Sequence, residues 1–312
     1  MFDHFVWSVL VAPVAVVVAA RLLARRFRPD IAAIALAWSA VVAAAASAVN
    51  LATFALKAFA ELPAVARRFD WSDHVVRADT AHVPWVSWFS LVWLLVAGVA
   101  VTRAWVVHRR AMVSARRYDR LLPGTYVVVL DDDSVDAFAV PGDPGHIIVT
   151  RGMRDALDEQ QYEALLAHER AHLVGRHHRL VLLVALAAAV HPVFRWLLRE
   201  VEYLVERAAD EYAAVAVGSR RTVARAVGAA ALAATGRRRH AAALGLAPSR
   251  PELGGAGVVP RRVASLLAAP PVLRSPVIVG VTALMAAGTV VWTGECVYDL
   301  FELLAHARDR KD

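Results

Sequence analysis

Long apolar runs set the first pattern along this chain. Four of them, Phe5 to Leu23, Ile31 to Phe59, Trp85 to Val107 and Pro276 to Trp292, approach or exceed the span of a bilayer-crossing helix, which takes about 20 residues. Trp85, Trp88, Trp93 and Trp105 punctuate the third run, and tryptophan suits the membrane interface. A fifth run, Leu180 to Leu198, is apolar enough to span but ends in His191, Pro192 and Arg195. Between the third and fifth runs the pattern changes. Tyr126 to Leu130, Phe138 to Val140 and His146 to Thr150 read as short strands of a small sheet, joined through a Pro/Gly-rich turn at 141–145. Asp131-Asp132-Asp133 reads as a solvated turn and not a metal site. Asp158 with Gln161 then makes a capping box, and Tyr162, Leu165, Leu166 and Leu173 form the apolar face of the helix that follows.

Composition narrows the class. At 58% hydrophobic and 20% charged the chain is no disordered protein. A single cysteine, Cys296, excludes a disulfide framework and a cysteine-rich zinc site. The net charge of +7 is carried almost wholly by arginine, and its placement orients the spans. Arg21, Arg25, Arg26 and Arg28 follow the first run; Arg103, Arg109, Arg110, Arg116, Arg117 and Arg120 follow the third. The first run passes straight into arginines without a small-residue cleavage pattern, so it reads as a retained span rather than a signal peptide.

The expected layout is residues 1–107 with three spans, 108–275 in the cytoplasm with a flexible basic linker at about 236–262, and 276–312 holding the last span and a short tail. Both termini are expected outside the cell membrane. No helix-turn-helix or stacking-aromatic pattern points to nucleic acid.

The capped helix carries His168-Glu169-Arg170-Ala171-His172. Residues four apart share a helix face, so His168 and His172 can offer imidazole nitrogens to one ion. Two histidines and a third protein ligand suit zinc with one open position. Glu169, beside them without ligating, can take a proton from the attacking water and pass it to the leaving amine. Two candidates stand for the third ligand. His178 completes H-E-x-x-H-x-x-G-x-x-H, the metzincin spacing. Glu206 stands on a later helix, with Asp210 one turn on, placed to orient a ligand histidine. Glu206 is preferred, because a metzincin needs a methionine turn and the one downstream methionine, Met285, lies in the last span. His177 and His178 then read as basic residues at a membrane boundary, with metal ligation or transition-state hydrogen bonding as their alternative roles. The choice also constrains the fifth run. If Leu180 to Leu198 crossed the bilayer, Glu206 and His168 would lie on opposite sides, so the run must double back or pack within the domain.

These motifs, with Asp136-Ala137-Phe138-Ala139-Val140 and Ile147-Ile148-Val149-Thr150-Arg151-Gly152, resemble the BlaR/MecR-type membrane metallopeptidases, peptidase family M56, closely over about Leu121 to Gly218. The chain is similar, more distantly, to the heat-shock and prenyl-protein-processing membrane gluzincins. The resemblance implies a mainly α, multi-span helical membrane protein with a cytoplasmic zincin-like (gluzincin) α+β metalloprotease domain carrying a small sheet. It implies Zn2+ as cofactor and a protein or peptide substrate, such as a transcriptional repressor, with self-cleavage in some members. A second copy of the chain is an open alternative as partner. Only about 20 residues follow Trp292, too few for the sensor domain that transducers of this type carry, so direct beta-lactam reception is not expected. The rival class is a non-proteolytic scaffold that retains zinc, against which an intact Glu169 argues.

Overall fold

The computed structural model describes residues 2–23, 27–121, 125–142, 145–243, 257–269 and 276–310. The first apolar run is helical throughout, as α1 (Phe2–Phe5), a π-helical segment (Val6–Val11) and α2 (Ala12–Leu23). The second forms α3 (Pro29–Ala60), opened by a proline whose fixed φ suits a helix start. Two short helices follow, α4 (Pro63–Phe69) and α5 (Asp73–Ala78), and then α6 (Trp85–Leu121). Among the described residues three helical stretches are long and apolar enough to cross a membrane: Phe2–Arg21, Pro29–Ala60 and Trp85–Val113. Arg25 and Arg26 lie outside the described residues, as do the side chains of Arg116, Arg117 and Arg120.

Alanines let the helices approach closely. Ala32, Ala33, Ala37, Ala40, Ala43 and Ala44 bury one side of α3 against Val16, Val17 and Ala20 of α2. By contrast α6 leaves Leu95 and Val99 64% and 71% exposed, a surface suited to lipid. Its 37 residues extend about 55 Å at 1.5 Å per residue. That exceeds the bilayer's apolar layer of about 30 Å, and α6 runs on to touch the sheet.

The sheet comprises β1 (Val127–Leu130), β2 (Ala137–Val140) and β3 (His146–Thr150) in the order β1-β3-β2, with β1 parallel and β2 antiparallel to β3. The aspartate turn is tied down rather than free. Arg151 pairs with Asp131 and Asp133, and Asp132 accepts from the Ser134 N–H. A short helix, α7 (Arg151–Asp155), leads into α8 (Glu159–Val174), whose capping box from Asp158 and Gln161 forms as the sequence predicts.

The fifth run does double back. α9 (His177–Val190) is too short to cross a bilayer, and His191 is extended, as the residue before a proline must be. The chain turns there and returns as α10 (Phe194–Ala216). Val184, Ala187, Phe194, Leu197, Val201 and Leu204 pack this hairpin against α2 and α3. Its tip reaches into the spans: Trp93 Nε1 donates to Val190 O (3.1 Å) and His191 Nε2 donates to Val9 O (2.9 Å). Val9 lies in the π-helical segment, and the neighbouring Ser8 O accepts from Ser47 Oγ at 2.6 Å. A π register leaves carbonyls in search of donors, and these two side chains supply them.

Of the basic linker expected at about 236–262, residues 244–256 lie outside the described residues, while its ends fall in α11 (Arg220–Ala243) and α12 (Val258–Leu267). The last run begins α13 (Pro276–Asp309), which continues as helix through the expected tail because Leu300 and Ala307 are buried. Ala307 packs with Ala60 and Val76, and Phe2 meets His82 edge-on. So the start of α1, the α4–α5 corner and the end of α13 gather at one end of the bundle.

Candidate metal centre

α8 and α10 cross so that His168, His172 and Glu206 converge, their ligand atoms all within 4.8 Å of one another. The two imidazoles present Nε2 to a common point, 3.2 Å apart. Glu206 Oε2 lies 3.5 Å from His168 Nε2, and Oε1 lies 3.5 Å from His172 Nε2. Zinc bonds of about 2.0–2.1 Å in a tetrahedron put neighbouring donors about 3.4 Å apart. The donor triangle has that size, with nitrogen and carboxylate donors that suit Zn2+, so the residues fit the ion.

Each imidazole is held by its other nitrogen. His168 Nδ1 is 3.0 Å from Asp210 Oδ1. His172 Nδ1 is 3.0 Å from His177 Nδ1. Thus Asp210 stands where the sequence predicts an orienting carboxylate. The ring of His177 is buried and turned onto His172. His178 is not part of the donor group and stacks on His108 with centroids 6.4 Å apart.

Charges inside the site are strongly coupled. Burial opposes protonation of His168, but hydrogen bonds to Asp210 and Glu206 outweigh it and raise its pKa from 6.5 to about 10. In the metal-free state a proton on His168 therefore supplies the positive charge between the two carboxylates. Burial, aided by the nearby charges of His168 and Arg262 and opposed by Glu206, pushes His172 down to about 4, which keeps it neutral and ready to ligate. Glu206 is held below the usual carboxylate range: burial would raise it, but His168 and Arg262 win.

Glu169 is buried beside the centre, and burial lifts its pKa above the ordinary value, only partly offset by His168 and by the Ala139 N–H. That N–H belongs to the outer edge of β2. Thr150 N–H donates to Asp136 O, which makes 136, 138 and 140 the residues bonded to β3. Ala137 and Ala139 therefore point their backbone groups away from the sheet. Among the described residues no strand pairs with this edge, and it runs past the candidate base.

Arg262 is a member of the site that the motifs do not name. It lies on α12, inside the stretch expected to be linker, yet its side chain is only 13% exposed. Its Nε and Nη2 donate to the two oxygens of Asp210 at 2.8 and 2.6 Å, and Nη1 is 2.9 Å from Glu206 Oε2. One signal was present: Arg262 stands one turn before the buried Leu266, on the apolar face of α12.

Residues 102–187 match the model of Peptidase family M48. That stretch holds the sheet and His168 to His172 but stops short of Glu206. Among curated proteins, a "Protease HtpX homolog" of Nostoc sp. (strain PCC 7120 / SAG 25.82 / UTEX 2576) is 32% identical over 107 residues, which is 34% of this chain and 35% of that protein. A "Protease HtpX homolog" of Aquifex aeolicus (strain VF5) is 35% identical over 86 residues, 27% of each chain. The chain spans about a third of the length of the curated relatives it matches. No solved structure matches. The similarity supports a membrane zinc metallopeptidase. It does not support the finer assignment to the BlaR/MecR type, and it falls on the gluzincins that the motifs resemble more distantly.

Proposed function

We propose that this chain is an integral membrane zinc endopeptidase, with His168, His172 and Glu206 as ligands, Glu169 as general base and Asp210 as the orienting carboxylate. The observation that carries the reading is the zinc-sized triangle of donors with a buried carboxylate beside it. Bound there, Zn2+ supplies a Lewis acid that polarises a peptide carbonyl and makes water acidic enough to attack. Glu169 takes the proton from the attacking water and delivers it to the departing amine. Its raised pKa brings it nearer to neutrality, where a base that must also act as an acid works best. The outward edge of β2 receives the substrate backbone as an added strand, which aligns a carbonyl with the centre. Arg262 holds Asp210 and Glu206 in place against the pull of the ion.

In this reading the arginine bias places the site at the cytoplasmic membrane face, with both termini outside. The gathering of α1, the α4–α5 corner and the end of α13 at one end supports it. The substrate is a protein, and regulatory proteolysis such as repressor cleavage is the first role. Membrane-protein quality control of the heat-shock type is a second, favoured by the match over residues 102–187.

The test uses the full chain in detergent with casein and a candidate repressor. Cleavage should stop with chelator and return with zinc. Glu169→Gln should keep its zinc while losing about 10²–10⁴-fold in rate. An absence of any chelator-sensitive cleavage would favour the scaffold.

A further inference from the structure

We infer that His177 is a positioning residue of the metal centre: its Nδ1 accepts the Nδ1–H of His172 and so fixes the tautomer and rotation that aim His172 Nε2 at the ion. The inference rests on the zinc reading above and adds a residue that the motif does not name.

A neutral imidazole has one donor nitrogen and one acceptor. If His172 ligates through Nε2, its proton must sit on Nδ1, and that N–H needs an acceptor because the ring is largely buried. The group that faces it is His177 Nδ1, at 3.0 Å, with the two rings perpendicular and their centroids 4.9 Å apart. His177 must then carry its own proton on Nε2. The two ligand histidines are therefore oriented by different chemistry. His168 leans on a carboxylate, itself clamped by Arg262. His172 leans on a second imidazole.

The placement of His177 is built by the backbone. Arg176 adopts φ 48°, a left-handed conformation that turns the chain between α8 and α9 and swings the His177 ring back over the last turn of α8. Gly175 makes the space. A Cβ there would overlap Nε2 of His177, with Cδ2 at 2.7 Å. Gly175 itself has φ −74°, an ordinary helical value, so a side chain is excluded there by the His177 ring and not by backbone strain. The hydrogen bond and the glycine slot are independent observations, and both concern the same ring. Direct ligation by His177 does not fit, since its Nδ1 faces the far nitrogen of His172 and the donor group is His168, His172 and Glu206.

The experiment measures metal affinity, independent of turnover. Full-length protein in detergent is stripped of metal. Zn2+ binding is read by competition with a chromophoric chelator, and Co2+ binding by its visible absorption. His177→Ala should weaken Zn2+ binding about 10–100-fold, the usual effect of removing a partner behind a ligand histidine. His177→Asn, whose amide oxygen can stand where Nδ1 was, should recover most of the loss and restore the Co2+ spectrum. His177→Gln, whose oxygen lies further out, should not. Gly175→Ala keeps every polar group but evicts the ring, and should reproduce the His177→Ala loss. Zn2+ affinity of His177→Ala within twofold of wild type, or equal values for the Asn and Gln variants, overturns the inference while leaving the zinc site standing. A wild-type chain that binds no stoichiometric Zn2+, or His172→Ala that binds it equally well, overturns both.

Discussion

Replacing Arg262 by methionine gives a direct reading of how the centre is braced. The side chain is 13% exposed and makes two charge-assisted hydrogen bonds to Asp210, itself 2% exposed, plus a contact to Glu206. Methionine has similar length and removes the charge without opening a large hole. Breaking a buried ion pair from one side costs about 3–5 kcal/mol, because the partner charge is stranded. Here the lower end applies, since the protonated His168 still stands 3.0 Å from Asp210. For a chain of this size each kcal/mol moves the melting midpoint by about 2–4 °C, so a loss near 3 kcal/mol predicts about 6–12 °C. The assay is thermal unfolding of metal-free protein in detergent, followed by tryptophan fluorescence. Zinc should shrink the difference, because the ion restores positive charge beside Glu206. Arg262→Lys should fall between, as an ammonium cannot grip both oxygens of a carboxylate in the forked manner of a guanidinium. A metal-free Arg262→Met protein that melts within about 2 °C of wild type would refute the bracing role.

Other outcomes follow from the same geometry. His168 is raised to about 10 in the folded metal-free protein. A raised pKa gives stability that is fully present below about 6.5 and is lost as pH climbs towards 10. Metal-free protein should therefore weaken across that window, and His168→Ala should flatten the dependence in pH-dependent melts. Leu197→Ala empties a fully buried position between α10 and α3, at a cost of about 2–5 kcal/mol, and should make the hairpin the first site of limited proteolysis. Gly152→Ala would drive a Cβ into the Asp133 and Ser134 carbonyls. It should cost about 1–3 kcal/mol and raise hydrogen exchange in the β1–β2 loop, while zinc binding stays intact.

Much of the site is legible in local pattern. The capping box, the His168/His172 spacing and the three strands depend on neighbours within a few residues, and each forms as the sequence predicts. The return of the fifth run was also readable, but only through chemistry: one ion cannot be shared across a bilayer. What stays hidden depends on partners far along the chain. Arg262 looks like a solvated residue in an Arg-Arg pair, and its burial is decided by Asp210, 52 positions away. The orientation of His177 hangs on a left-handed Arg176, a conformation seldom signalled without glycine or asparagine. The π-helical segment is hidden for a similar reason, since Ser47 and His191 come from other helices to satisfy its carbonyls.

The α9–α10 hairpin has a bearing on biogenesis. His168 and His172 are synthesised before it and Glu206 lies on its second helix, so Glu206 meets the two histidines only once α10 has seated beside α8 and the hairpin has packed among α2, α3 and α6. A nascent chain that has not yet assembled its bundle holds an incomplete ligand set. On the zinc reading proposed above, translation delivers the donor set in a dormant form, and docking of the hairpin in the bundle assembles it.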